Sequence, residues 1–553
     1  MAFTGAPRVE IYERDLSEVA SVAGGSTAGI ISAGYKGIVG YPYLFTNSKE
    51  PLDTLGIPFQ GLVKPGEFEA GMYASQIFLS ESNTLWYVRK AVGDEKYATF
   101  TTDGQSTSAS VGTSDDITAS ATLVEVEPDS IPDLNIAIAA DDIRFSSPYP
   151  GVSGNDISII MTPGYDGATV ATWAKSIVGD ESDDAENLVK IDVFQDGVQV
   201  EGPFIGGTKS GYKDSQGKSL DLEDVINGKS VNVYVSVGAD FKAGTTIVDP
   251  AFGSVVSTFD LAEGLDSATQ PTTNTQAEWD LYFGNPETRL CNILLETSKT
   301  GSDSVSVVAE QTNNACGIIQ QDDVTDTTVS AITAISSGAS SYLTKYSGYI
   351  NVNDSYSGKK ISVPLAYYGA SKWAYVERTQ SIHTAPFGPS YGVLSGVIGS
   401  ITGMNIKFDD TKIGLIYDEN INTARWMNGI GPVIWGQKTS QVKASATDRI
   451  GVRRLINNLK FNSGRSLFQF LGQQNTGSTR NRAINVVEPL FRTALLNDGL
   501  TNYDLVCDET NNTPAVIDNN EMVFDAYCSP TKTVELIRFT ITITRTGISL
   551  TQA

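Results

Sequence analysis

The residues best placed for chemistry are Gly388-Pro-Ser390-Tyr-Gly392, which match the G-x-S-x-G spacing of a nucleophile elbow, with His383 just upstream. In α/β-hydrolases the catalytic base follows the nucleophile, whereas the single histidine of this chain precedes Ser390. Pro389 and its Gly-rich surroundings also suit a turn better than a strand-to-helix elbow. A serine hydrolase using Ser390 is therefore a distant alternative, and His383 reads as a structural or interface residue. Gly217-Lys218-Ser219 ends like a phosphate loop, but Tyr212 stands where the first glycine belongs. The acidic run Asp180–Glu186 lacks the ordered spacing of a calcium loop and reads as a solvated loop. Cys291, Cys316, Cys507 and Cys528 show no metal-binding spacing and read as buried thiols, although Cys507 and Cys528 lie on two runs that could pair as a hairpin. No catalytic, metal or cofactor-binding residue is assigned, and no cofactor is expected.

The elements that would carry such residues follow from patterning. Thr27–Ser32, Trp86–Val88, Asn292–Leu295 and Val305–Ala309 read as strands. Gly66–Ser82 reads as a helix, and Pro364 can open another that runs to about Glu377. Alternating strands and helices imply an α/β core. Residues 101–270 interrupt it with Ser, Thr, Asp and strand-like runs such as Val231–Val237, which implies an inserted, mainly β region. After residue 420, Ser445 or Thr447 can cap a helix with Val452, Ile456 and Leu459 on one face. A second helix carries Ile484, Val487, Phe491 and Leu495 and ends near Gly499. Strands at Tyr503–Cys507 and Met522–Tyr527 precede a long one in which Ile537, Phe539, Ile541 and Ile543 alternate with polar residues. Val9-Glu10-Ile11 alternates in the same way near the start.

At 553 residues, several cores are expected. The 40% apolar share and the 52 glycines suit a folded protein rich in tight turns. Met1–Pro7 has no cationic, apolar leader pattern, and Tyr391–Ile406 is too short and Gly-broken to span a bilayer, reading instead as a buried Gly-rich segment. The net charge of −25 is uneven: residues 101–270 hold 28 acidic against 8 basic residues, whereas 421–492 hold 2 against 11. An acidic lobe favours solubility, and the basic stretch calls for an acidic partner. It lacks an RNP, KH or helix-turn-helix pattern, so an acidic protein surface is preferred over nucleic acid.

Gly431-Pro-Val-Ile-Trp435-Gly436-Gln-Lys-Thr439, followed by Arg453-Arg454 and Asn511-Asn512-Thr513-Pro514, resembles the C-terminal region of contractile tail sheath proteins. Gly5–Val9 with Glu13–Asp15, Gly34–Gly37, Pro42–Asn47, Leu55-Gly56, Tyr149–Gly151 with Gly154–Ile157, Ala385–Gly388 and Asn420–Asn422 are similar to further sheath segments in the same order. Phe387 departs from the usual small residue, His383 from an aromatic, and Gln437-Lys438 from the frequent pair. The resemblance implies a multidomain α+β protein: a discontinuous α/β core (23–100 with 271–420), an inserted, mainly β, outward-facing region (101–270), and a small C-terminal α+β inner domain (421–545). Strand-exchanging arms would flank these at 1–22 and 546–553, with Val9, Ile11, Ile541, Ile543 and Ile548 as pairing residues. Arg453, Arg454, Arg480, Arg482 and Arg492 become tube-facing or inter-subunit candidates, with Gly431, Trp435 and Gly436 as a structural motif and Trp435 as its core anchor. The implied role is a structural subunit of a virion tail, assembled in the host cytoplasm, whose helical polymer contracts around a tube for genome ejection. Its partners would be further copies of itself, the tail tube protein, and baseplate and terminator proteins, with no nucleic acid and no membrane insertion. The alternative is a sheath of a tailocin or type VI-like machine.

Overall fold

The computed structural model describes residues 25–541 apart from 57–69, 92, 103–116, 119–122, 127–137, 166–168, 179–184, 186, 212, 214–216, 228, 245–256, 266–273, 299–302, 323–324 and 336–337. The chain is a mixed α/β, multidomain protein with several sheets. It divides into two compact units, Met1–Ile382 with Pro386–Asn457, and His383–Ala385 with Asn458–Ala553.

The first unit is built on an eight-stranded sheet. In spatial order its strands are β18 (Gly431–Trp435), β17 (Ile421–Met427), β13 (Leu343–Tyr346), β12 (Cys316–Gln320), β11 (Ile293–Leu295), β1 (Ala28–Ser32), β3 (Leu85–Arg89) and β2 (Pro42–Phe45). The central six run parallel, and antiparallel β2 and β18 close the two edges. Strands covered on both faces need continuous apolar runs, and β1, β11, β12 and β13 are buried throughout. Successive side chains then enter opposite cores. Ile30 and Ile318 pack with helices Ala70–Leu79 and Leu365–Thr379, whereas Ile31 and Ile319 pack with Gln276–Phe283 and Ser304–Thr312. Gly29 and Gly317 let helices approach: a Cβ on Gly29 would lie 2.8 Å from the Phe283 ring, and one on Gly317 2.9 Å from Val305. Pro364 occupies the N-cap position of Leu365–Thr379.

Two expectations change here. Val305–Ala309 is helical: Val305, Val308 and Ala309 lie on the buried face of a helix ended by Asn313 at φ 56°, while Val307 faces out. Also, β17 and β18 extend the large sheet, so the expected boundary after 420 falls inside it.

Together with Tyr97–Thr102, the described strands of 101–270 form two antiparallel sheets. One is β10 (Ser257–Asp260), β6 (Ile157–Pro163), β7 (Leu188–Gln195) and β8 (Val198–Gly207). The other is β4 (Tyr97–Thr102), β5 (Ile143–Pro150) and β9 (Tyr234–Val237). They share a core that includes Phe145, Ile159, Ile191, Val235 and Phe241. A further small antiparallel sheet, β15 (Lys360–Pro364), β14 (Tyr349–Asp354) and β16 (Gly399–Met404), branches from β13. Residues 391–406 thus include an exposed-to-intermediate edge strand rather than forming one buried segment.

The second unit contains the end of helix Ile450–Leu467, helix Gly477–Leu496 capped by Thr476, and the hairpin β19 (Leu500–Val506) with β20 (Asp525–Pro530). Ser445 caps a short 3-10 turn before Ile450 rather than the helix itself.

Candidate assembly surfaces

The structure assigns the hydrolase-like residues to packing. Ser390 is exposed on the four-residue turn Gly388–Tyr391, which follows irregular chain instead of a strand. Gly388 has φ +78°, and a Cβ on Gly392 would sit 2.9 Å from the Ile434 carbonyl. Both glycines therefore serve a turn that lies along β18, where Ile434 N–H donates to Gly392 and Leu394 N–H to Pro432. That contact covers an otherwise open sheet edge. His383 belongs to the other compact unit. Its ring fills the space a Cβ on Gly499 would occupy, 2.8 Å from Nδ1. Burial holds its pKa below the usual imidazole value, against the opposing pull of the Asn497 backbone and Asp498. The left-handed residue ending the helix is Asp498, at φ 61°, so Gly499 is there for His383.

In a sheet of this topology a ligand crevice is expected between β1 and β11, at their carboxyl ends, where the strand order reverses. Here the crevice is filled by the chain's own side chains. Asn274 Nδ2 donates to the Ile31 carbonyl and to Glu296, and Thr297 Oγ1 donates to Ser32. Lys90 pairs with Glu278 at 2.7 Å, and Tyr367 donates to the Thr297 carbonyl. Burial raises the Glu296 pKa, while N–H donors from Ser298, Asn274 and Trp279 oppose that rise. The sequence reading missed this network. Its one legible signal is Thr275-x-x-Glu278, which forms a capping box at the adjoining helix. Among the described residues, no group of three or more His, Cys, Asp or Glu could hold a metal, and no helix is long and apolar enough to cross a membrane. All four cysteines are free; Cys528 pairs in register with Tyr503, so the hairpin does not set it against Cys507.

The basic candidates separate into two kinds. Arg454 is buried, pairs with Glu377 at 2.5 Å, donates to the Trp373 carbonyl and stacks on the Trp373 ring. Arg453 is buried too, bonded to Ser341 and lying over Tyr342. Arg480 bonds Asn475 and Glu509 within its own unit. These three are committed internally, because a buried guanidinium must keep its partners. Arg482, which lies over Phe470, and Arg492 remain exposed.

The glycine-tryptophan motif is β18. Its core anchors are Val433 and Ile434, both fully buried; Trp435 is half-buried beneath Arg425, which corrects the expected role of Trp435. Gly431 at φ +102° turns the chain into the strand, and Gly436 at φ +151° turns it out. A Cβ on Gly436 would lie 2.6 Å from Asn422 Oδ1. Asn422 in turn donates to the carbonyls of Lys345 and Lys438 and accepts from Lys438 N–H. In the second unit Asn512 bonds both N–H and carbonyl of Val523, and Asn511 bonds Val506, so this pair clamps the β19–β20 connection.

Other quoted segments also meet. Buried Arg89 on β3 donates to the carbonyls of Gly37 and Pro150, tying the start of the core to the inserted region. Asn155 exchanges two hydrogen bonds with Gly264.

Of the arm residues, Val9, Ile11, Ile543 and Ile548 lie outside the described residues. Residues 531–541 are described, and they differ from the expected strand: they carry no secondary structure and every one is exposed. Val534, Leu536, Ile537, Phe539 and Ile541 are 69–83% exposed.

No family model matches the chain. It is 34% identical over 194 residues to the tail sheath protein of Enterobacteria phage T4, covering 35% of this chain and 29% of that protein. It is 26% identical over 371 residues to the tail sheath protein of Vibrio phage KVP40, covering 63% and 54%. This chain is related to phage tail sheath proteins. It spans about a third to just over half the length of the curated sheath relatives it matches. Sheath tail proteins from Listeria innocua and Desulfitobacterium hafniense share its fold, each at 10% identity, with TM-scores of 0.53 and 0.52. They cover 93% and 95% of this chain, and 97% and 100% of their own.

Proposed function

We propose that this chain is the structural subunit of a contractile phage tail sheath. The observation that carries this reading is the tail 531–541, where large apolar residues stand in water with no strand paired to them among the described residues. Such a segment is a strand awaiting a sheet, and strand addition from a neighbouring copy supplies both backbone partners and apolar cover. Each side chain fully buried on pairing contributes about 1.5–3 kcal/mol. The arm therefore begins near residue 531, earlier than the 546–553 segment expected from sequence. Contacts of this head-to-tail kind do not close, so they build a helix.

The polymer assembles around the tail tube, with baseplate and terminator proteins at its ends, as part of the virion tail. It is kinetically held in an extended state, and contraction moves each subunit largely as a rigid body. The acidic inserted region faces solvent, and of the five candidate arginines the exposed Arg482 and Arg492 are free to meet an acidic tube or neighbour. Purified protein is expected to form hollow cylinders by negative-stain microscopy. A monomer that persists at every salt concentration would contradict this reading.

A further inference from the structure

The filled crevice holds a buried lysine, asparagine and glutamate in contact, and the sheath reading gives them no part. Neighbouring parallel strands bring them together: Lys90 directly follows β3 and Glu296 directly follows β11, with β1 between those strands. Asn274 stands two residues before helix Gln276–Phe283 and is held by the Ile31 carbonyl of β1. Lys90 is 8% exposed, Asn274 4% and Glu296 1%. Lys90 Nζ lies 3.4 Å from Asn274 Oδ1 and 2.7 Å from Glu278. On the other side of the same carboxamide, Asn274 Nδ2 lies 3.0 and 3.2 Å from the two Glu296 oxygens. A salt bridge needs only Lys90 and Glu278; it leaves unexplained a carboxamide set between that ammonium and a second, buried carboxyl group.

An amine held against a carboxamide, with an acid at the nitrogen that would leave and water excluded, is the arrangement for acyl transfer. We propose that Lys90 and Asn274 join to each other in an amide bond, releasing ammonia. Glu278 takes one proton from the Lys90 ammonium, and the free amine attacks Asn274 Cγ. Protonated Glu296 gives its proton to Nδ2, the Cγ–Nδ2 bond breaks and ammonia departs. Glu296 regains a proton from the newly bonded Lys90 nitrogen, and the ammonia leaves as ammonium with the proton held by Glu278. The step needs no outside reactant. Burial raises the Glu296 pKa, which favours the protonated form that the step uses. The chain leaves the core for the inserted region after Lys90 and has returned to it by Asn274. The bond therefore makes the core covalently continuous across the two crossings, so that a pull on the core bypasses the insertion.

The test is mass spectrometry of the purified full chain. It is expected to weigh one ammonia less than its sequence, and its tryptic digest to contain a branched peptide joining Lys90 to Asn274, uncleaved after Lys90. Glu296→Gln keeps the side-chain shape but cannot supply the proton, and should lose the branched peptide and show the full sequence mass. Lys90→Arg should do the same. Full sequence mass in the folded parent after prolonged incubation at neutral pH would overturn the proposal, as would ammonia loss without the branched peptide. Loss of one water with a Lys90–Glu278 link, or an undiminished branched peptide in Glu296→Gln, would also overturn it. The parent's own mass and peptides decide the matter if the variants do not fold. These readouts apply to monomer and polymer alike, so the proposal fails or holds separately from the sheath reading.

Discussion

At the scale of single residues, burial separates cations that hold the fold from those free to meet a partner. Arg454→Met leaves the part-buried Glu377 without its guanidinium and should cost about 3 kcal/mol in urea unfolding. Arg482→Ser and Arg492→Ser, both at exposed positions, should each change stability by no more than about 0.5 kcal/mol. Equal, small losses at all three sites would contradict this division. The arginines were legible as a basic cluster, but the difference between them was not. Glu377 lies 77 positions from Arg454, and Ser341 lies 112 from Arg453, so only the fold brings these partners together. The same holds for the Ser390 stretch: its spacing was visible, whereas Gly392 is explained only by Ile434 across the strand.

At the scale of elements, turns and clamps decide which strands meet. Gly436→Ala combines a left-handed φ with a 2.6 Å approach to Asn422, and should cost roughly 2 kcal/mol or more in chemical denaturation. Asp322, just after β12, is an analogous clamp. Its carboxylate accepts from Gly348 N–H, Ser347 and Gln320 at the point where the chain leaves β13 for β14. Burial pushes its pKa up to about 6 from an ordinary 3.8, the hydrogen bonds opposing. The native state therefore binds a proton that the unfolded chain releases between these values, so this site gains stability as pH falls through that window. The stability gap between the parent and Asp322→Ala should widen by up to about 3 kcal/mol from pH 7 to pH 4. A gap that narrows on acidification would refute the assignment. Continuous apolar runs made β1, β3 and β11 legible, whereas β12, β13 and β17 were not read as strands; Pro364 marked its helix. Val305–Ala309 misled because a β-branched run reads alike as a strand or as the buried stripe of a helix.

At the scale of the whole molecule, the chain fills the crevice where a related sheet topology would host a ligand and leaves a long apolar segment in water. That combination suits a subunit whose unmet contacts are with other copies. The alternation at 537–543 was visible in sequence, but it could not reveal that 537–541 stand exposed, with no strand paired to them among the described residues. Phe539→Ser should accordingly leave the melting temperature of the monomer unchanged while blocking polymerisation, a pairing of results that light scattering and calorimetry would check. The most direct measurement compares the full chain with one ending at Pro530, by negative-stain microscopy and thermal melting. The full chain should form hollow cylinders, and the shortened chain should stay monomeric with the same melting temperature. Normal cylinders from the shortened chain would contradict the account.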